Sequence, residues 1–438
     1  MNKENETKVT IEFVSKNLNV SDKDCNSAMT INHKKCSQCD KPFIEESWCK
    51  ECDPFRMIEG WTSENHDIDE FIKNTIYDEA LNYYGNYYPE FLEWVSFDRF
   101  EDIKKIGEGG FAKVYSATWI DGRAKYKRQD DEGWKKLDPE PMKVALKNLN
   151  GSQSMSAEYL NELQTHWNLN KSLKSSLKFY GMTKDPATKE FMMILQFAEK
   201  GNLKCFLSSN FSNFLWKDKI VYLCGLADDL NSLHKLGFFY RDLHSGNILQ
   251  NISGGAFVSD FGLSGSPNEQ KSFFGVIMAE LSSGKSPFHK RKHDATLALE
   301  ICNGLRPEFG KGTPEIYKKL AYRCMDANPD QRPAADELLD ILAVWDGCTR
   351  RNENQEEEKI GYKRKQIKAM FEEADKEIPN ISTSYEKNSD AIYTSRVFTF
   401  SNLSKPINSS IITSLYLNDE ENNNDCQDSQ ILDLEVPN

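Results

Sequence analysis

This 438-residue chain lacks any apolar run approaching the ~20 residues needed to cross a bilayer. It also lacks an excess of positive charge. Its 55 Lys and Arg stand against 68 Asp and Glu, a formal net charge of −13, which argues against nucleic acid as a partner. The opening Met1-Asn2-Lys3-Glu4-Asn5-Glu6 has no apolar signal-peptide core, and Asn2 stands where N-myristoylation would need glycine. The expectation is a cytoplasmic protein, with the nucleus as the alternative, and no membrane partner. The 11 cysteines form no disulfide framework: four sit together near the N-terminus, while Cys205, Cys224, Cys302, Cys324 and Cys348 are scattered. Reduced cysteines buried as small hydrophobes suit a reducing compartment.

With hydrophobic content of 39% and charge of 28%, the chain has the material for a core with polar extensions. Residues 1–33 are polar and read as a disordered lead, and 34–55 carry the cysteine cluster. A helical linker spans 60–96. Within it Asp67 with Glu70 reads as a capping start, and Ile68, Phe71, Ile72 and Ile76 fall at helical spacing. Tyr83, Tyr84, Tyr87, Tyr88, Phe91 and Trp94 follow, a stretch read as packing rather than docking. Residues 97–346 form the main globular unit. In it Asp121 to Glu140 is polar and turn-rich, and reads as a long loop between two strands. Ile220, Leu223, Cys224, Ala227 and Leu230 mark an amphipathic helix that Gly237 stops. From 347 to 438 the expectation is a short solvated helix around Lys363-Arg364-Lys365, then a disordered acidic tail.

Four motifs stand out by their order. Ile106-Gly107-Glu108-Gly109-Gly110-Phe111-Ala112-Lys113-Val114 is a glycine-rich turn whose backbone amides can approach phosphate oxygens because no side chain intervenes. Ala112 replaces the usual third glycine. Downstream come Val144-Ala145-Leu146-Lys147, then Tyr240-Arg241-Asp242-Leu243-His244-Ser245-Gly246-Asn247, then Asp260-Phe261-Gly262. Each alone is weak, since any one of these charges could be an ordinary surface residue. In this order they match the parts that phosphoryl transfer needs, which are positioning and charge neutralisation. Lys147, held by Glu162 of the helical Tyr159-Leu160-Asn161-Glu162-Leu163, would grip the α- and β-phosphates of ATP. Asp242 would orient an acceptor hydroxyl and take its proton, while Asn247 and Asp260 would hold Mg2+. His244 reads as loop filler.

These motifs make the chain resemble eukaryotic protein kinases over about residues 100–346, and most closely the tyrosine-kinase-like group. His244-Ser245-Gly246-Asn247 and Asp260-Phe261-Gly262-Leu263-Ser264 resemble the kinase-like proteins expanded in fungi, which also carry paired cysteines ahead of the kinase unit. The resemblance implies an α+β, two-lobed fold with a β-rich small lobe and a helical large lobe. It implies ATP in the cleft between them, touched by Ile106, Val114, Ala145 and Leu249. Leu195 would be the gatekeeper, with Gln196-Phe197-Ala198 as the hinge, and Arg241 would serve activation by pairing with a phosphorylated loop residue.

There is one departure. No Ala-Pro-Glu occurs, and Asp260-Phe261-Gly262 is followed almost at once by Ser272-Phe273-Phe274-Gly275-Val276-Ile277-Met278, which resembles the middle of a later helix. Roughly 25 residues are absent by the spacing of the signature set, and Gln270 falls where an anchoring aspartate belongs. Arg332 of Asp330-Gln331-Arg332-Pro333 would lose its usual partner, leaving an orphaned charge and a strained or partly open large lobe.

Cys36-Ser37-Gln38-Cys39 and Cys49-Lys50-Glu51-Cys52 are two Cys-x-x-Cys pairs nine residues apart. Four thiolates so spaced suit one tetrahedral structural Zn2+, with uncoordinated or redox cysteines as the alternative. The functional expectation is a kinase that moves the γ-phosphate of ATP to protein serine or threonine, with tyrosine as an alternative acceptor. The competing reading is an ATP-binding pseudokinase scaffold, and a third is an interaction protein working through its cysteine module and tail.

Overall fold

The computed structural model describes residues 61–82, 90–109, 112–129, 133–136, 140–172, 177–250, 255–261, 274–350, 358–359, 362–393 and 403–410, with positions 35, 40, 138 and 412. Cys36, Cys39, Cys49, Cys52, Gly110, Gln270 and Ser272 lie outside the described residues, as does all of 1–33, the stretch read as a disordered lead.

The small lobe is a six-stranded sheet ordered β1-β7-β8-β6-β3-β2. Its strands are β1 (Glu93–Trp94), β2 (Phe100–Glu108), β3 (Ala112–Trp119), β6 (Met142–Leu149), β7 (Phe179–Lys184) and β8 (Phe191–Gln196). All pairings are antiparallel except β1 with β7. Gly181 permits that parallel contact, because a Cβ there would sit 2.0 Å from the Glu93 carbonyl oxygen. The run Phe-Met-Met-Ile-Leu of β8 is buried on both faces, as a central strand should be.

Strand parity then sorts the side chains. Phe191, Met193 and Leu195 join Ala145 and Leu149 on one face, whereas Met192 and Ile194 join Val144 and Leu146 on the other. The first face is covered by helix α1 (His66–Asn82), through Ile68 and Ile72, and by helix α2 (Ala157–Ser172), through Leu163 and Trp167. Lys147 shares its parity with Ala145 and Leu149, so it points at α2.

The large lobe is built on α4 (Trp216–Lys235), after the short α3 (Leu203–Asn210). Ile220, Leu223, Leu226, Ala227, Leu230 and Leu233 of α4 are buried with residues of α5 (Phe274–Ser283), α7 (Glu315–Cys324) and α8 (Ala335–Arg350). Gly237, at φ +81°, follows the α4 terminus, a left-handed position that a β-carbon would disfavour. Helix α6 (Ala295–Cys302) starts on an Asp294 cap. No helix of the described residues is long and apolar enough to cross a membrane.

Several expectations are corrected. The stretch Asp121 to Glu140 is not simply a loop, since it holds a hairpin of β4 (Tyr126–Gln129) and β5 (Gly133–Lys136). Helix α1 is capped by Asn65, whose side-chain oxygen accepts from the Asp67 and Ile68 amides (3.0 and 3.1 Å), so Asp67 lies inside the helix. The helix near Lys363 is not solvated all round. It is α9 (Arg364–Glu377), and Ile367, Phe371 and Ala374 form a buried stripe at helical spacing. Phe371 packs on Trp216 and Trp345 (centroids 5.8 and 5.6 Å), and Asp375 accepts from the Trp216 amide at 2.8 Å.

Parts of the stretch expected to be structureless are also docked. The Tyr385 hydroxyl accepts from the Ser286 amide (3.0 Å), the Asn388 amide donates to the His289 carbonyl (2.9 Å), and the Tyr393 hydroxyl donates to the Pro287 carbonyl (3.1 Å). Asn408 accepts from the Ala327 amide at 2.7 Å and donates to Asp326 at 3.0 Å. A few aromatic and amide anchors, diluted in polar sequence, hold this tail.

Arg332 is not orphaned. Its Nε donates to the Asp326 carbonyl at 2.8 Å, and although burial pulls its pKa down, the Asp326 carboxylate opposes that.

The docking of α9 yields a stability prediction. Phe371, 2% exposed, replaced by alanine should lower unfolding free energy by about 3–5 kcal/mol in denaturant titration. A loss below about 1 kcal/mol would mean that α9 does not belong to the core.

Candidate active site

The phosphate side of the cleft begins where β2 turns into β3. Gly107 pairs with Val114 across the strands, and the Gly109 amide donates to the Ala112 carbonyl at 2.8 Å, closing the turn. Val114 in turn pairs with Lys147, and Ala145 with Leu195. Ala145 and Leu249 pack against the buried cluster that contains Leu195, so these three expected nucleotide contacts share one cluster. Ile106 is 54% exposed. Gln196 ends β8, its amide donating to the Lys178 carbonyl at 2.8 Å, and Ala198 accepts from the Gly201 amide at 3.0 Å where the chain crosses to the large lobe.

Lys147 lies at the centre. Its ammonium is paired with Glu162 of α2 and with Asp260 Oδ1 at 3.0 Å. Lys147 and Glu162 are almost wholly buried, while the Asp260 side chain keeps about a third of its surface exposed. Burial alone would push the lysine pKa down, but the two carboxylates outweigh it and hold the pKa above its usual value. Asp260 adopts φ +65°, an uncommon backbone for a non-glycine residue and a place where strain gathers at working sites.

Behind this triad runs a column of rings. His166 meets Phe261 edge-on at 4.6 Å, and Phe261 meets Tyr240 at 5.8 Å. The Tyr240 hydroxyl donates to the Ser259 carbonyl at 2.6 Å. Burial drives His166 down to about 3, so it is a neutral packing ring rather than a charged one. The column ties α2, the Asp260 segment and the loop that carries Asp242 into one unit.

In that loop the Asn247 amide donates to the Asp242 carboxylate (2.9 Å) and carbonyl (3.2 Å). The Asn247 carbonyl accepts from the Ser259 amide and hydroxyl, each at 2.9 Å, which docks the loop beside β10 (Ala256–Val258). His244 Nδ1 accepts from the Gly246 amide at 3.0 Å, so Nε2 carries the proton toward Asp242, 3.6 Å away. Arg241 is exposed.

The oxygens fit a hard cation. Asn247 commits its nitrogen to Asp242, which leaves Oδ1, and Asp260 commits Oδ1 to Lys147, which leaves Oδ2. Such a pair suits Mg2+, which completes its shell with water and phosphate oxygens.

Two groups escaped the sequence reading. Glu280 of α5 is fully interior and accepts the Ser245 hydroxyl at 2.8 Å, and burial pushes its carboxyl up to about 7. Asp229 of α4 accepts from the Val258 amide at 2.9 Å, and burial lifts it to about 8. An acidic residue within the apolar run Phe-Gly-Val-Ile-Met-Ala-Glu-Leu was the available signal for Glu280.

Residues 100–273 match the family model of protein tyrosine and serine/threonine kinases. Over that stretch the sequence is that of a protein kinase domain. Over 282 residues it is 28% identical to a probable serine/threonine-protein kinase of Dictyostelium discoideum, covering 55% of this chain and 12% of that protein. It is 27% identical over 293 residues to a leaf rust 10 disease-resistance locus receptor-like protein kinase-like protein of Arabidopsis thaliana, covering 55% of this chain and 41% of the relative. A probable serine/threonine-protein kinase of the same plant is 25% identical over 295 residues, with 56% and 67% covered. The first two relatives are thus matched over less than half of their own length. The sheet with its long helix and the helical lobe agree with the two-lobed fold of the kinase domain.

Proposed function

We propose that this chain binds Mg-ATP and transfers its γ-phosphate to a serine or threonine hydroxyl of a protein. The observation that carries the proposal is the buried Lys147, bridging Glu162 and Asp260 beside an Asp242 held by Asn247. In this scheme Lys147 grips the α- and β-phosphates and the Gly107–Gly110 turn covers them. Mg2+ supplies charge neutralisation between the phosphates. Asp242 takes the acceptor's proton as the terminal P–O bond to the nucleotide breaks and the new one forms. The adenine lies among Val114, Ala145, Leu195 and Leu249, against the hinge backbone. His244-Ser245-Gly246-Asn247 supports assignment to the tyrosine-kinase-like group, and a cytoplasmic site of action is part of the same proposal.

The absence of Ala-Pro-Glu and the short step from Gly262 to Phe274 favour a second reading, an ATP-binding pseudokinase that signals by its shape. Phosphotransfer from labelled Mg-ATP to the chain and to a generic protein substrate separates the two. Label above background that Lys147→Met and Asp260→Asn each abolish is the expected outcome. Wild-type label no higher than in these variants, in protein that still binds ATP, would establish the pseudokinase.

We also propose structural Zn2+ on Cys36, Cys39, Cys49 and Cys52, on the spacing of the two pairs. Metal analysis should find one zinc per chain, lost in Cys36→Ser/Cys39→Ser. A metal-free wild-type protein would end this proposal.

A further inference from the structure

On the large lobe, away from the ATP-facing residues, lies a cavity of about 510 Å³ between the end of α5, the loop 285–291, the segment 305–311 and the tail residues 380–382. Its charge is opposite to that of the chain as a whole. Lys285, Lys290, Arg291, Arg306 and Lys311 line it against the two carboxyls of Glu280 and Glu308, in a protein of net charge −13. Arg291 pairs with Glu300 and Lys311 with Glu377, whereas Lys285 and Lys290 make no ion pair among the described residues.

Within the lining, His289 is 93% buried by virtue of its 7% exposure. Its Nδ1 donates to the Ser286 carbonyl at 3.1 Å, and its buried Nε2 has no hydrogen-bond partner. A buried polar atom left this way is a cost to the fold. Phe288 in the same loop holds φ +53°, and Pro287, Leu305 and Phe309 supply apolar wall.

From this we infer a second ligand site, one that takes an organic phosphate monoester. The volume falls in the range of small-molecule pockets rather than that of a bare ion. The two unpaired lysines would receive the phosphate oxygens. The apolar wall would hold the organic body. Glu280, raised by burial to about 7, can present a neutral acid rather than a repelling charge. The same Glu280 accepts the Ser245 hydroxyl, so the cavity lies one side chain from the catalytic loop. The inference does not depend on phosphotransfer by this chain.

Phenyl phosphate is the probe, titrated into the full chain with Mg-ADP present throughout to occupy the nucleotide cleft. The expected result is a concentration-dependent rise in Tm, with affinity at least tenfold weaker in Lys285→Ala/Lys290→Ala. The partly exposed lysines can be removed without opening the core, and an unaltered Tm of the probe-free variant checks this. An unchanged Tm in the wild type, an undiminished response in the double lysine variant, or an equal response to inorganic phosphate would overturn the assignment.

Discussion

One buried ammonium organises this molecule. Lys147 is drawn out of water on β6, and a lone lysine there would be untenable. Glu162 and Asp260 make it tenable, and in doing so they join three separately folded pieces: the sheet, the helix α2 and the segment leading out of β10. Removing one member of such a group leaves the others buried and uncompensated, a cost of about 3–5 kcal/mol where buried pairs have been broken. Parity on β6 puts Lys147 under α2, and helical spacing on α2 puts Glu162 and His166 one turn apart on the face that meets it. The triad and the ring column behind it are therefore two consequences of one packing arrangement.

The large lobe meets this unit through the catalytic loop. Asn247 fixes Asp242, while Ser245 and Glu280 fix the loop to α5. Gly275 allows α5 to lie against α7, since a Cβ there would sit 2.3 Å from the Ala321 carbonyl oxygen. The loop thus rests on a packed helical base even though the chain passes from Gly262 to Phe274 in few residues. The tail adds to that base, with Tyr385 and Tyr393 set against the loop that follows α5. Lys219 shows how tightly the base is closed. It is buried under Phe211 and Trp216, and desolvation pushes it down to about 7, with Asp375 of α9 opposing.

Much of this was legible in the residues. The apolar spacing of α4 marked a helix, the ordered motifs singled out Lys147, Glu162, Asp242, Asn247 and Asp260, and the two lobes were implied by the resemblance those motifs carry; the fold sets Lys147 against Glu162 and Asp260, and Asn247 against Asp242. What stayed hidden depended on partners far away in the chain. Phe371 looked like one apolar residue in a charged helix until Trp216 and Trp345 met it. Arg332 looked abandoned because its family partner is missing, but the backbone carbonyl of Asp326, only six positions earlier, accepts from it. Asn65 rather than Asp67 caps α1, a one-turn ambiguity that local sequence does not resolve when both residue types can cap. Glu280 stood out as an acid in an apolar helix, but its partner Ser245 lies 35 positions away and only the fold brings the two together.

The coupling of Lys147 to Glu162 is the account's central claim, and a double-mutant cycle on Mg-ATP affinity tests it directly. Lys147→Met and Glu162→Gln should each weaken binding, and the double variant should be little worse than Lys147→Met alone, with an interaction energy of roughly 1–3 kcal/mol. Strictly additive losses would contradict it, because the two residues would then act on the nucleotide independently.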